Sequence, residues 1–162
     1  MLFFGHIGIT VLIGTLFFLP ALLVGFSSIL PDLIDKGLLV IGVSHYSRLF
    51  AHNIFFGPIA SAVVYLITRR KGFALAVLFG TYMHLLEDIR TPLPWLWPLA
   101  KINLAPVTGL KISPDLFDIS LEAIGLSCLG VLFVFRQSIL NAREKMLAAL
   151  RGFYDRRIGK KI

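Results

Sequence analysis

The sequence predicts an all-α membrane protein: a polytopic helical bundle of four to five segments, closed by a basic amphipathic helix. Three observations predict it. The chain is 57% hydrophobic and only 15% charged, where soluble domains carry about 45–50% apolar and about 25% charged residues. Its mean hydropathy is +0.83. The apolar runs are continuous rather than alternating, which favours helices over a barrel. The 162 residues suit four or five crossings of roughly 20 residues each.

The first apolar run extends from Met1 to about Leu30 and is interrupted at Leu19-Pro20. An internal proline costs a helix about 3 kcal/mol, so two readings follow. Either one long kinked helix crosses, or a helix over Leu2–Phe18 turns at Pro20 and a shorter one runs back. We favour the second, which brings His6 to the side of Leu30-Pro31-Asp32-Leu33-Ile34-Asp35-Lys36. Asp32 and Asp35, after a proline at the end of an apolar run, fit either a site or a capped turn. Gly37 to Ser47 reads as a connector, with His45 an ordinary loop residue.

The next helix is expected to open at Arg48-Leu49-Phe50-Ala51-His52-Asn53, with Arg48 and His52 at i,i+4 on one face. It runs to Thr68 and stops at the basic turn Arg69-Arg70-Lys71-Gly72. A short turn makes the following helix, Phe73 to about Ile89, an antiparallel neighbour. That puts His52 level with the stretch Gly80 to Pro98, where His84 and Asp88 stand one turn apart. Ionisable groups at the end of an apolar helix are costly and mark a site. Glu87, at i+3 from His84, is either a site residue or a solvated acid at a helix end.

From Arg90 to Pro114 the chain carries five prolines and cannot be regular helix. Trp95 and Trp97 suit the headgroup level. A last membrane helix is expected from about Asp115 to Phe135, with Asp118 and Glu122 facing the site or complementing the helix dipole. Residues 1–135 then form the membrane domain, and 136–162 a basic amphipathic tail on an anionic surface. The net charge of +7 is concentrated there and in the basic turn, so nucleic acid is not the expected partner. Of the 16 Lys and Arg, 11 lie on that side. The positive-inside rule makes it cytoplasmic and the His/Asp face extracytoplasmic, in a multi-pass protein of the inner or plasma membrane. Cys128, the lone cysteine, excludes a disulfide framework or a thiolate metal site.

One face thus gathers His6, Asp32, Asp35, His52, His84 and Asp88. Imidazole and carboxylate without thiolate suit a catalytic divalent metal, most readily zinc, with manganese or iron as alternatives. Such a metal lowers the pKa of water towards about 7. Arg48 is placed for an anionic oxygen such as phosphate. Asp35 or Glu87 would act as general base or orient a ligand histidine.

Phe4-Gly5-His6, Leu30-Pro31-Asp32…Asp35, Arg48-x-x-x-His52 and Gly80…His84-x-x-x-Asp88…Pro92…Trp97-Pro98 together resemble the inner-membrane metal-dependent hydrolase family. The resemblance covers roughly the first two thirds of the chain. It implies remote kinship with zinc-dependent phospholipases C and single-strand nucleases. The chain departs from the family in having Ser47 before Arg48 where many members have His, and in an Asp spacing one residue longer. One or two metals are then expected rather than three.

The expected activity is hydrolysis of a phosphoester of a membrane lipid or other amphiphile, with His6, Asp32, His52, His84 and Asp88 holding metal. The alternatives are a non-enzymatic metal-binding protein or an ion- or proton-coupled carrier, and a purely structural His84–Asp88 pair.

Overall fold

The computed structural model describes residues 3–101, 104–107 and 115–158. Among them are five helices and no strand: α1 (Phe3–Leu16), α2 (Ala21–Val40), α3 (Phe56–Thr68), α4 (Lys71–Glu87) and α5 (Leu116–Ile158). The all-α expectation holds.

The chain does turn back before Pro20. Phe18 adopts a left-handed φ of 60°, and the Leu19 amide donates to the Gly14 carbonyl at 3.0 Å. α2 then packs on α1. Pro31 does not end this helix. Asp32 and Asp35 stand on a continuous helix rather than in a capped turn. One turn before the proline, the Ser27 and Ser28 hydroxyls donate to the carbonyls of Leu23, Val24 and Gly25. Packing of α2 against both α1 and α4 holds the helix across its internal proline.

A second correction concerns Arg48 and His52. They lie in an irregular loop, and α3 begins only at Phe56. The Asp35 carboxylate accepts the amides of Leu49 (2.6 Å), Phe50 (2.9 Å) and Ala51 (3.0 Å), which folds that loop around it. Asn53 caps the helix start, accepting the amides of Phe55 and Phe56. Arg69, at φ 56°, closes α3 and turns the chain into α4.

The fifth helix also differs from expectation. It is continuous over 43 residues, about 64 Å at 1.5 Å per residue, with no break at Arg136 between membrane segment and tail. Asp115 accepts the Asp118 amide at 2.8 Å, a local N-cap. Glu122 serves a different helix: its oxygens accept the Phe4 and Gly5 amides at 2.9 and 3.1 Å, capping α1 where its dipole is positive. Lys111, Pro114, residues 159–162 and the side chains of Arg143, Leu150, Arg151 and 153–158 lie outside the described residues.

The helices meet through small residues. A Cβ at Gly125 would strike the Phe4 carbonyl, and one at Gly80 would come within 2.8 Å of the Val24 carbonyl. Serines bond across the gaps, Ser27 to the Ala76 carbonyl and Ser61 to that of Ala74. The apolar core is small, with Val11, Val24 and Ala76 at its centre. The largest fully buried side chains are instead His6, His52 and His84. Apolar side chains point outwards: Leu22 is 93% and Phe133 85% exposed. One helix, α5, is long and apolar enough to cross a membrane; α1 and α3 are apolar but shorter.

Candidate metal centre

The site lies at one end of the bundle. α1 contributes His6 near its start, α2 Asp32 and Asp35 in its second half, and α4 His84 and Glu87 near its end. The loop before α3 brings Arg48 and His52, and Asp88 is the residue just past α4. The structure therefore brings together all eight residues that the sequence singles out.

Each of the three site histidines has one ring nitrogen engaged by a holder. His6 Nδ1 lies 2.6 Å from Glu87 Oε2, whose other oxygen accepts the Thr10 hydroxyl at 2.9 Å. His52 Nδ1 lies 2.7 Å from Asp35 Oδ2. His84 Nδ1 lies 2.6 Å from the Ser28 carbonyl. A carbonyl only accepts, as does a carboxylate already gathering three amides, so Nδ1 carries the proton in His84 and His52. Their Nε2 atoms point inwards and stand 3.0 Å apart, so either one carries a second proton and donates to the other, or both lone pairs address a cation.

Other acceptors converge on the same point. Asp32 Oδ1 is 3.4 Å from His52 Nε2 and 3.9 Å from His84 Nε2. Asp88 Oδ2 is 4.0 Å from His52 Nε2, and its Oδ1 is 3.6 Å from His6 Nε2. His6 Nε2 and Asp32 Oδ1 are buried with no hydrogen-bond partner among the described residues. Two triads, His6–Asp32–His84 and His52–His84–Asp88, have donor atoms within 4.8 Å of one another. Tetrahedral ligation at about 2.0–2.2 Å places ligand atoms roughly 3.3–3.6 Å apart, close to these separations. Buried acceptors with inward lone pairs and no donor between them require a cation or added protons.

Charge leads to the same conclusion. Asp32, Asp35, Glu87 and Asp88 supply four carboxyls. Lys36 bonds Asp32 Oδ2 and Arg48 Nε donates to Asp88 Oδ2 at 2.9 Å. With the three aspartates ionised and the histidines neutral, one negative charge is left over even before Glu87 is counted, which a cation would balance. Burial works against an ionised Asp88, but the Arg48 guanidinium, with His6 and His84, holds its carboxyl below the usual range. Burial likewise works against a charged His52, and the carboxylates of Asp32 and Asp35 more than offset it, raising its pKa.

The roles separate by geometry. Both Asp35 oxygens are taken up by backbone amides and His52, so this residue positions an imidazole rather than accepting a proton from a substrate. Glu87 is the buried holder of His6, not a solvated helix-end acid. Three contributors were not assigned by sequence reasoning. Thr10 and Lys36 stand at i+4 from His6 and Asp32, a spacing that could have found them. Ser28 acts through its carbonyl, which no side-chain pattern reveals.

Comparison with protein-family models, with curated proteins and with solved structures finds no match for this chain. The geometry of the site is what bears on its function.

Proposed function

We propose that this protein is a multi-pass membrane metal-dependent hydrolase acting on a phosphoester of a lipid or other amphiphile at the membrane surface. The observation that carries the metal is the 3.0 Å approach of His52 Nε2 and His84 Nε2, with both opposite ring nitrogens committed. His6, Asp32, His52, His84 and Asp88 would hold the ion, zinc being the best match to this donor set. When bound, it would supply Lewis-acid activation of water and of a phosphoryl oxygen.

The chain's own residues do the rest. Asp35, Glu87 and the Ser28 carbonyl lock three imidazoles with Nε2 inwards, the support that raises ligand basicity. Arg48 orients Asp88 and, being partly exposed, meets an anionic oxygen entering from solvent. The order of motifs, which resembles that of inner-membrane metal-dependent hydrolases, supports the reaction class.

Membrane embedding is supported by polar groups inside, apolar groups outside, glycine-mediated helix contacts and serine bonds across them. α1, α2, α3 and α4 would be embedded alongside α5, and the basic turn Arg69–Lys71 and the C-terminal half of α5 would lie at the cytoplasmic end. A carrier fits less well, because the cluster sits at one end of the bundle and not at mid-depth.

Elemental analysis of purified protein tests the reading. Stoichiometric zinc, manganese or iron is expected in wild type, falling to background in His84→Ala and sharply in Asp88→Asn, with phosphodiester turnover lost in parallel. Wild type without bound metal would refute the proposal.

A further inference from the structure

Two adjoining hollows lie beside the metal centre. The first, about 170 Å³, is lined by Tyr46, Ser47, Arg48, Pro92, Leu104 and Ala105. It has one cation in its wall and no carboxylate. Arg48 also reaches Asp88 through Nε, so one side chain joins this recess to the ligand cluster. The second, about 210 Å³, shares Pro92 and Leu104 with the first and continues past Leu93, Leu96, Trp97 and Ala100, with Lys101 also in its wall. Its lining is otherwise apolar.

These walls are held against the site. The Ile54 amide donates to the Trp95 carbonyl at 3.1 Å, and the Val107 amide to the His45 carbonyl at 2.8 Å. The Trp97 ring meets Phe50 edge-on at 5.1 Å between centroids. Phe50 in turn is one of the three amides gathered by Asp35. The strap formed by residues 90–101 and 104–107 is thus tied to the loop that carries Arg48 and His52. A recess with a cation, followed by an apolar cleft, matches a molecule that is anionic at one end and apolar at the other.

We propose that the two hollows form a substrate channel: Arg48 holds an anionic phosphate head beside the metal centre, and a single hydrocarbon chain lies in the cleft between Pro92, Trp97 and Leu104. This assignment rests on the hydrolase reading and sharpens it to amphiphiles whose phosphate and first carbons enter the protein. The polyproline strap is then a binding wall rather than a linker.

The test uses the full-length protein in zwitterionic lipid nanodiscs, titrated with inorganic phosphate, butyl phosphate and hexyl phosphate while tryptophan fluorescence is followed. Affinity should rise with chain length, by up to about fourfold per methylene if each is fully buried. It should fall at least tenfold for all three probes in Arg48→Gln. In Ala100→Phe, at an exposed position whose new ring would fill the cleft, the series should collapse towards the inorganic phosphate value. A series of equal slope in wild type and Ala100→Phe reports partition into the nanodisc and overturns the channel, as does no chain dependence in wild type. Metal content and turnover of the same samples keep the two ideas apart. Metal-free, inactive protein that still shows cleft-dependent chain selectivity would remove the hydrolase reading alone. Metal-loaded protein without that selectivity would remove the channel alone.

Discussion

The buried histidines are distinguished by what lies behind them. Asp35 is the clearest case: one carboxylate organises a loop through three amides and orients His52 through a fourth contact. Asp35→Asn keeps the volume but removes the charge and presents a donor where acceptors are needed. Metal affinity should drop by about 10–100-fold, read by competition with a chromogenic chelator. Global stability should fall by roughly 1.5–3 kcal/mol for each charge-assisted bond lost. The metal-free site should also answer to pH in a definite sense. His52 has a raised pKa in the folded protein, so its proton competes with the ion as pH falls, and binding must release it. Apparent metal affinity is expected to decline on acidification, with proton release measured by calorimetry in buffers of different ionisation enthalpy. An affinity that strengthens towards acid would contradict the assignment of His52 as a ligand.

At the scale of helices, glycine contacts decide whether the ligands meet. α2 carries Asp32 and α4 carries His84, and they approach at Gly80, where any Cβ encounters Ser27 and the Val24 carbonyl. Gly80→Ala should cost about 1–3 kcal/mol through overpacking, measured by thermal unfolding in detergent. It should also lower metal content, because pushing the helices apart displaces His84 from Asp32. Gly37, on α2, has nothing within 4 Å of an added Cβ, so Gly37→Ala should leave metal content unchanged and serves as the control. Glu122 acts at this scale too. It holds the start of α1, and hence His6, from a separate helix. Glu122→Gln should weaken that cap by roughly 0.5–2 kcal/mol.

For the whole molecule, the distribution of polarity is inverted relative to a soluble domain, and the ion would be part of the fold. Chelation should lower the unfolding temperature. At an ion concentration one hundred times its dissociation constant, the stabilisation lost is about 2.7 kcal/mol. The basic turn and the end of α5 lie away from the histidine cluster. A reporter fused to the C-terminus should therefore show it cytoplasmic, and activity outside the cytoplasm would reverse the orientation.

Much of this was legible in the amino-acid sequence. Composition determined that the chain is helical and apolar; Pro20 marked the first reversal, and the basic turn marked the second. The pairs His84–Asp88 and Asp32–Asp35 named candidate site residues because charged groups in apolar helices have few other reasons to be there. Tertiary structure alone decided the rest. Pro31 stays inside α2 because that helix is packed against α1 and α4, which local propensity does not register. Arg48 and His52 leave the helix because Asp35, 17 residues before His52, captures their loop. Glu87 became a holder of His6, 81 residues away, through the packing of α4 against α1. Residue types and helical spacing record which groups share a face. Which nitrogen turns inwards, and which acid stands behind it, depends on contacts between helices that only packing brings together.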